Sequence, residues 1–177
     1  LLGRNESKLE IVYDKINQLN CRKPIILAMD LEISDETQYI SLKKNLEENL
    51  TSLDGILLNA GILGPLSPLE DISFPAWNSV MRVNVDSNFL LIKSCLSLLR
   101  KSPNASVIFT SSSVGRKARA YWGAYAVSKF ATEGIMQLLA DELDQTSNIR
   151  VNSLNPKATN TAMRRAAYPG EDPCSNP

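Results

Sequence analysis

Histidine is absent from the sequence, and its acidic and basic residues leave no net charge. Without histidine, the chain cannot form a Ser-His-Asp triad, a Cys-His pair or a His-ligated metal site. The 19 basic residues match the 19 acidic residues, so no net field attracts nucleic acid or an anionic membrane. We therefore expect no metal site, no nucleic acid and no membrane among the partners.

Cysteine is scarce, and long hydrophobic runs are lacking. Cys21, Cys95 and Cys174 are far apart, odd in number and without CxxC spacing, which argues against a zinc site or a disulfide framework. No apolar run reaches the roughly 18 residues of a membrane span, and the start of the chain does not have the pattern of a signal peptide. These features predict a cytoplasmic protein with reduced cysteines.

Short apolar runs do occur, and they alternate with amphipathic segments. This alternation is typical of a parallel sheet with helices on both faces, so we predict a doubly wound α/β fold. The length of 177 residues suits a single domain spanning 1–177. Strands rich in Ile, Leu and Val are predicted at residues 24–30, 54–60, 105–111 and 149–154.

Four helices are predicted, one before the first strand and three between the strands, at residues 6–19, 35–50, 76–100 and 122–143. The first has Asn5 as a plausible cap, and a more polar helix follows at 35–50. Residues 61–75 are predicted as a loop over the active-site edge of the sheet, and 155–177 as a mobile, loop-like tail. The predicted inward faces contain Leu9, Val12, Ile16 and Leu19 in the first helix, Val80, Val83, Phe89, Ile92, Leu96 and Leu99 in the third, and Tyr125, Ile135 and Leu139 in the fourth.

Tyr125, Lys129 and Ser112 are the residue types that a hydride-transfer site needs for proton delivery. Tyr125 and Lys129 lie four positions apart, so on a helix the ammonium would lie near the phenol and favour its ionised form. A phenol with an ordinary pKa of about 10 would then work near neutral pH. Ser112 lies thirteen positions before Tyr125 and can donate to the same substrate oxygen. The alternatives are a half-buried aromatic residue and a solvated helix lysine.

Together with Asn84 and Asn59-Ala60-Gly61, these residues make the chain similar to the short-chain dehydrogenase/reductase family. Residues 125–129 match its YxxxK signature, and Ser112 with Gly115 matches its SxxG pattern. The run FTSSSVGRKARAYWGAYAVSKFATEG more closely resembles the bacterial YciK-like branch. The resemblance implies a Rossmann-type sheet with strand order 3-2-1-4-5-6.

The resemblance also implies roles for the catalytic candidates. Tyr125 would be the acid or base, Lys129 would lower the pKa of Tyr125 and bind the nicotinamide ribose, and Ser112 would orient the substrate oxygen. Asn84 would hold a water on the proton-relay path. Its alternative role is that of a buried asparagine that kinks the helix.

A second group of residues matches the cofactor-binding positions of the family. Arg4 stands where NAD-preferring members carry an acidic residue, so it would pair with a 2′-phosphate and favour NADP over NAD. Lys157 stands where the family has Gly, and Lys cannot take a positive φ cheaply. The resemblance implies that Thr159 contacts the nicotinamide carboxamide and that Thr161 adds a second contact. The implied cofactor-binding residues are Arg4, Asp30, Leu31, Asn59, Ala60, Gly61, Tyr125, Lys129, Pro156 and Thr159.

Three of those residues also have a plain structural interpretation: Asn59-Ala60-Gly61 could be an ordinary turn after a strand.

The Gly-rich TGxxxGxG turn of the family is not found, since none of the eight glycines forms such a cluster. Leu1-Leu2-Gly3-Arg4 resembles the end of the family's second strand. We therefore expect an incomplete Rossmann-type sheet without the family's first and last strands, as in a fragment or a natural truncation.

The predicted function is that of an NAD(P)H-dependent oxidoreductase, which transfers a hydride between nicotinamide and a carbonyl or alcohol substrate. The alternative from another class is a non-catalytic Rossmann-like remnant or interaction module. A sugar-nucleotide epimerase or dehydratase also uses YxxxK, but such chains usually carry a separate substrate domain. The family leads us to expect a small-molecule substrate and a homodimer or homotetramer assembled through helices 76–100 and 122–143.

Overall fold

The computed structural model describes residues 1–19 and 24–177, so Cys21 lies outside the described residues. Strands and helices alternate along the chain, as predicted. No helix in the described ranges is long and apolar enough to cross a membrane. The elements are β1 (Leu2–Gly3), α1 (Glu6–Asn17), β2 (Leu27–Ala28), α2 (Glu36–Asn49), β3 (Gly55–Leu58), α3 (Phe74–Met81), α4 (Ser87–Leu99), β4 (Ser106–Thr110), α5 (Gly123–Asp144), β5 (Arg150–Leu154) and α6 (Ala162–Ala167).

All strand pairs are parallel, which confirms the predicted α/β class. β1 pairs with β2, with Leu2 opposite Leu27. A second sheet has the order β3-β4-β5, with Leu58 opposite Phe109 and Thr110 opposite Leu154. Within the described residues, the two sheets are not joined by strand pairing. They correspond to strands 3-2 and 4-5-6 of the family order, and the position of strand 1 lies between β1 and β3.

The core lies between the three-stranded sheet and the helices α2, α4 and α5. Val107 and Phe109 in the central strand β4 have no exposed surface. They belong to one hydrophobic cluster with Leu99 of α4 and Leu143 of α5. The buried strand therefore fixes the carboxyl end of β4, where the candidate site begins.

Helix α1 differs from its prediction. Asn5 caps it as expected, by accepting a hydrogen bond from the Lys8 backbone. However, none of its residues is buried, and Val12 of the predicted inward face is 42% exposed. The reason is that β1 and β2 are only two residues long, which is too narrow a surface to cover an apolar stripe. Leu9 lies beside this sheet, since a Cβ added at Gly3 would be 3.4 Å from its side chain.

The predicted helix 76–100 begins earlier and contains a wide turn. Pro75, predicted as loop, lies in the first turn of α3, where its missing N–H costs no hydrogen bond. A π-helical segment at Arg82–Asp86 joins α3 to α4 and contains Asn84. Phe89 of the predicted inward face is 55% exposed, whereas Ile92 and Leu99 of the same face are buried as predicted.

The tail at 155–177 is more ordered than the sequence predicts. Helix α6 is capped by Thr161, whose hydroxyl accepts from the Arg164 backbone. The Asn160 backbone donates to the carbonyl of Pro177 at 2.7 Å. The prediction of a loop was wrong here because a six-residue helix with capping and tertiary contacts needs little sequence periodicity.

Candidate active site

A cleft of about 780 Å³ opens at the carboxyl ends of β3, β4 and β5. In parallel α/β sheets this edge collects the loops that follow each strand. The lining includes Asn59-Ala60-Gly61 after β3, Ser112 after β4, and Tyr125 and Lys129 from α5. Pro156 and Thr159, after β5, complete the set of predicted site residues that line this cleft.

Helix α5 positions Tyr125 and Lys129 in its first two turns. Both are buried, with exposed fractions of 8% and 4%. The Lys129 ammonium lies 5.6 Å from the centre of the Tyr125 ring and donates to the Thr110 carbonyl at 2.7 Å. The helical spacing thus brings the two side chains together, as predicted.

The electrostatics of this pair differ from the prediction. Burial raises the pKa of the Tyr125 phenol above its ordinary value, although interaction with Ser112 opposes that shift. Burial also lowers the pKa of Lys129 from 10.5 to about 8. The expected stabilisation of the phenolate is absent because desolvation outweighs the hydrogen bond from Ser112. The structure therefore favours a protonated phenol.

Ser112 is the serine that interacts with Tyr125. It stands just before a short 3-10 turn at Ser113–Gly115. This turn packs directly on α5, since a Cβ added at Gly115 would lie 2.8 Å from the Lys129 carbonyl. Ser111, by contrast, has a buried hydroxyl without a hydrogen-bond partner in the described structure.

Asn84 lies behind the cleft and is fully buried. Its amide oxygen accepts from the Ile62 backbone at 2.8 Å, and its two N–H groups donate to the Ile62 carbonyl and the Ser128 hydroxyl, each at 2.9 Å. The side chain therefore fixes the loop after β3 against α5. Both of its donors have protein partners, which makes it a scaffold residue in this structure.

The predicted adenosine-side residues divide into two groups. Asn59 accepts from the Thr110 hydroxyl at 3.0 Å and lines the cleft. Asp30, Leu31 and Arg4 lie outside the cleft lining. Asp30 accepts from the Glu32 backbone at 3.0 Å, and Leu31 is part of the core.

Arg4 follows β1 and points its charge toward solvent. Its side chain is 61% exposed and lies 3.7 Å from the Glu32 carboxylate. An ion pair with such exposure contributes about 0–1 kcal/mol, so a stronger anionic ligand can displace it.

The loop after β5 contains an unusual backbone conformation. Lys157 has a φ of 61°, the left-handed region that favours glycine. Asn155 supports this conformation by accepting from the Lys157 backbone at 3.0 Å. Thr159 donates its hydroxyl to the Pro156 carbonyl at 3.2 Å. The sequence prediction that Lys replaces a glycine at a strained position fits this geometry.

Sequence reasoning missed the apolar wall of the cleft. Trp122, Tyr168, Leu63 and Met163 line it beside Tyr125. Trp122 directly precedes α5. Its position three residues before the YxxxK tyrosine could have indicated that it lies beside Tyr125 in the cleft. Tyr168 follows α6 and carried no signal, because its contact with Trp122 depends on how the tail folds back.

This arrangement places a buried Tyr-Lys pair, a serine and a strand-end asparagine at one sheet edge. The sequence matches the short chain dehydrogenase family over residues 1–172. The chain belongs to the short chain dehydrogenase family.

Among its curated relatives, this short chain dehydrogenase is 49% identical to the uncharacterized oxidoreductase YciK of Escherichia coli K12, over 98% of this chain and 68% of that protein. A short chain dehydrogenase structure from Pseudomonas syringae superimposes with a TM-score of 0.97 at 51% identity, covering 100% of this chain and 72% of that one. A Shigella flexneri short chain dehydrogenase complexed with NADP gives a TM-score of 0.95 at 48% identity, covering 99% of this chain and 73% of that one.

The family assignment and the likeness to YciK confirm the predicted resemblance. More distant curated relatives are matched over 50% to 56% of their length. The match to oxidoreductases identifies the class of this short chain dehydrogenase and leaves its substrate open.

Proposed function

We propose that this short chain dehydrogenase transfers a hydride between NADP(H) and a carbonyl or alcohol substrate, with Tyr125 as the proton donor or acceptor. The observation that carries the proposal is the buried pair of Tyr125 and Lys129, whose ammonium lies 5.6 Å from the ring centre. Buried titratable groups with shifted pKa values cluster at functional sites, which supports a chemical role for this pair.

The residues of the cleft fit the nicotinamide half of the cofactor. The Lys129 ammonium has three donors, and the Thr110 carbonyl is its one hydrogen-bond acceptor among the described residues. The remaining donors suit the hydroxyls of a ribose. Gly61 lies beside these groups, since a Cβ there would be in van der Waals contact, 3.4 Å from Asn84 and 3.8 Å from Lys129. Pro156 and Thr159 would border the carboxamide, with Thr161 as a further contact.

Tyr125 and Ser112 would act on the substrate oxygen. When bound, the nicotinamide supplies the hydride donor or acceptor. The raised pKa of Tyr125 keeps the phenol protonated, which suits a general acid in carbonyl reduction. Ser112 would donate a hydrogen bond to the same oxygen and hold it beside the phenol.

Lys129 would hold a proton next to this acid. Its pKa of about 8 lies close to neutral, so it can change charge without a large cost when the phenol gives up its proton. Asn84 would act as a positioning residue, since its hydrogen bonds to Ile62 and Ser128 hold the loop after β3 against α5.

NADP is the proposed cofactor in preference to NAD. The exposed Arg4 guanidinium suits a 2′-phosphate, and the Shigella flexneri relative is complexed with NADP. Asp30 and Leu31 follow β2 and would border the adenine, while Asn59, Ala60 and Gly61 would border the rest of the adenosine side.

We also propose self-association through α4 and α5. Phe89 of α4, together with Phe130 and Leu138 of α5, exposes large apolar side chains, and an apolar face of this kind favours burial against a second copy.

A fluorescence titration with NADPH and NADH tests the cofactor assignment. In a protein that includes the family's Gly-rich turn, we expect NADPH binding that is at least about tenfold tighter than NADH binding, and a loss of this difference in Arg4→Ala. Arg165→Ala is the matched control, because Arg165 is a surface arginine outside the cleft lining. Equal affinities for the two cofactors would contradict the assignment.

A further inference from the structure

Three aromatic rings form a row along one wall of the cleft. The Trp122 ring centre lies 5.8 Å from that of Tyr125 and 5.9 Å from that of Tyr168, with ring planes tilted by 47° and 50°. These distances and tilts fall in the range of favourable aromatic contacts. Tyr125, the proposed proton donor, is therefore one end of the row.

Apolar side chains continue this aromatic wall. Leu63 and Met163 pack with Trp122 against the buried cluster that contains Tyr125. A methionine thioether adapts its shape to an aromatic neighbour and makes favourable contacts with the ring edge. The surface beside the reacting oxygen thus suits a flat, apolar group.

The nearby arginine does not offer its charge to a ligand. Arg164 donates two hydrogen bonds of 2.6 Å to the Glu171 carboxylate, and this pairing lowers the pKa of Glu171. The guanidinium also lies 3.7 Å from the centre of the Tyr168 ring. Arg164 therefore holds Tyr168 in place through a cation-π contact. Lys8 and Lys157 also line the cleft, but both are exposed.

We propose that the substrate carries an aromatic ring next to its reacting carbon, as in an aryl ketone or the corresponding alcohol. The inference rests on the proposed function in one respect: it takes Tyr125 and Ser112 as the groups that hold the oxygen. With the oxygen there, the substrate ring extends the row formed by Trp122 and Tyr168. An aliphatic ring of similar size buries comparable area but gains no aromatic contact.

Binding of two matched ketones tests this inference. Acetophenone and cyclohexyl methyl ketone differ in the aromaticity of the ring, and an NMR titration gives a dissociation constant for each. We expect acetophenone to bind about tenfold more tightly, and the ratio to fall to about one in Trp122→Leu and in Tyr168→Leu. Tyr121→Leu is the matched control, since Tyr121 is an exposed neighbour outside the cleft lining, and it should keep the preference.

Equal binding of the two ketones by the wild-type protein would overturn the inference. So would a failure to bind either ketone, or a preference that survives both Leu substitutions. NADPH oxidation with the same two ketones separates this inference from the proposed function. A binding preference without turnover would count against hydride transfer only, whereas turnover without any preference would count against the aromatic site only.

Discussion

The Asn84 amide donates a hydrogen bond of 2.9 Å to the Ser128 hydroxyl, and that hydroxyl donates to the Tyr125 carbonyl at 2.8 Å. This chain of contacts links the π-helical segment to the first turn of α5. The same amide group accepts a hydrogen bond from the Ile62 backbone N–H and donates one to the Ile62 carbonyl. A single buried side chain thus connects the loop after β3 with the helix that carries Tyr125.

Replacing Asn84 should destabilise the protein strongly. Asn84→Leu keeps the approximate shape but leaves the part-buried N–H and carbonyl of Ile62 without their partner, so we expect a loss of about 2–4 kcal/mol in the free energy of unfolding. Ser128→Ala removes one of these contacts and should cost about 1 kcal/mol. Urea denaturation measures both. A smaller loss in Asn84→Leu than in Ser128→Ala would show that Asn84 is not the central connection.

The buried Lys129 should make stability depend on pH. Its pKa is 10.5 in an ordinary environment and about 8 in the folded protein, so between these values the unfolded state binds more protons. The free energy of unfolding therefore rises as the pH rises from about 8 to 10.5. Below about pH 8 the cost of burying the charged ammonium is fully present. Lys129→Met should stabilise the protein at about pH 7, and its advantage should shrink by about 2–3 kcal/mol by about pH 10.

Urea denaturation of the wild type and Lys129→Met at both pH values measures that difference. The other titrating groups are present in both proteins, so their contributions to the pH dependence of stability cancel in the difference. An advantage that is independent of pH would mean that the ammonium does not pay a desolvation cost in the folded state.

Gly115 should not tolerate a side chain. A Cβ there would meet the Lys129 backbone at 2.8 Å, and a helix backbone cannot move away easily, so we expect Gly115→Ala to cost about 1–3 kcal/mol. Gly134→Ala is the matched control in the interior of α5, where nothing lies within 4 Å. It should stabilise the helix by about 0.5–1 kcal/mol. Thermal unfolding compares the two variants, and similar melting temperatures would contradict the close packing of this turn.

Glycine at position 157 should stabilise the loop after β5. Lys157 holds a φ of 61°, a conformation that costs an L-residue roughly 1–2 kcal/mol and glycine almost nothing. Lys157→Gly should therefore raise the melting temperature, whereas Lys157→Ala retains a Cβ and should leave it nearly unchanged. An equal rise in both variants would attribute the effect to the lost ammonium.

The parts of the fold that the sequence predicted well depend on local interactions. Asn5 caps its helix through a side chain within the first turn, as predicted. Tyr125 and Lys129 share a helix face because of the helical repeat. These features need no knowledge of distant neighbours, so the sequence alone was enough.

The parts that it missed depend on what packs against them. The stripe of α1 stays uncovered because the neighbouring strands are short, and the phenol of Tyr125 is protonated because of burial. Trp122 meets Tyr168 only after α6 folds back along the cleft. Such contacts join residues far apart in the chain, so the periodicity of apolar residues in the sequence does not predict them.

The turnover of Tyr125→Phe tests the proton-transfer role of Tyr125 most directly. The variant keeps the ring and its contact with Trp122 but lacks the phenolic proton, so NADPH affinity should stay within about twofold of wild type while ketone reduction falls by about 10²–10⁴-fold. NADPH fluorescence reports both the binding and its oxidation in the presence of acetophenone. Unchanged turnover in Tyr125→Phe would contradict Tyr125 as the proton donor of a reductase.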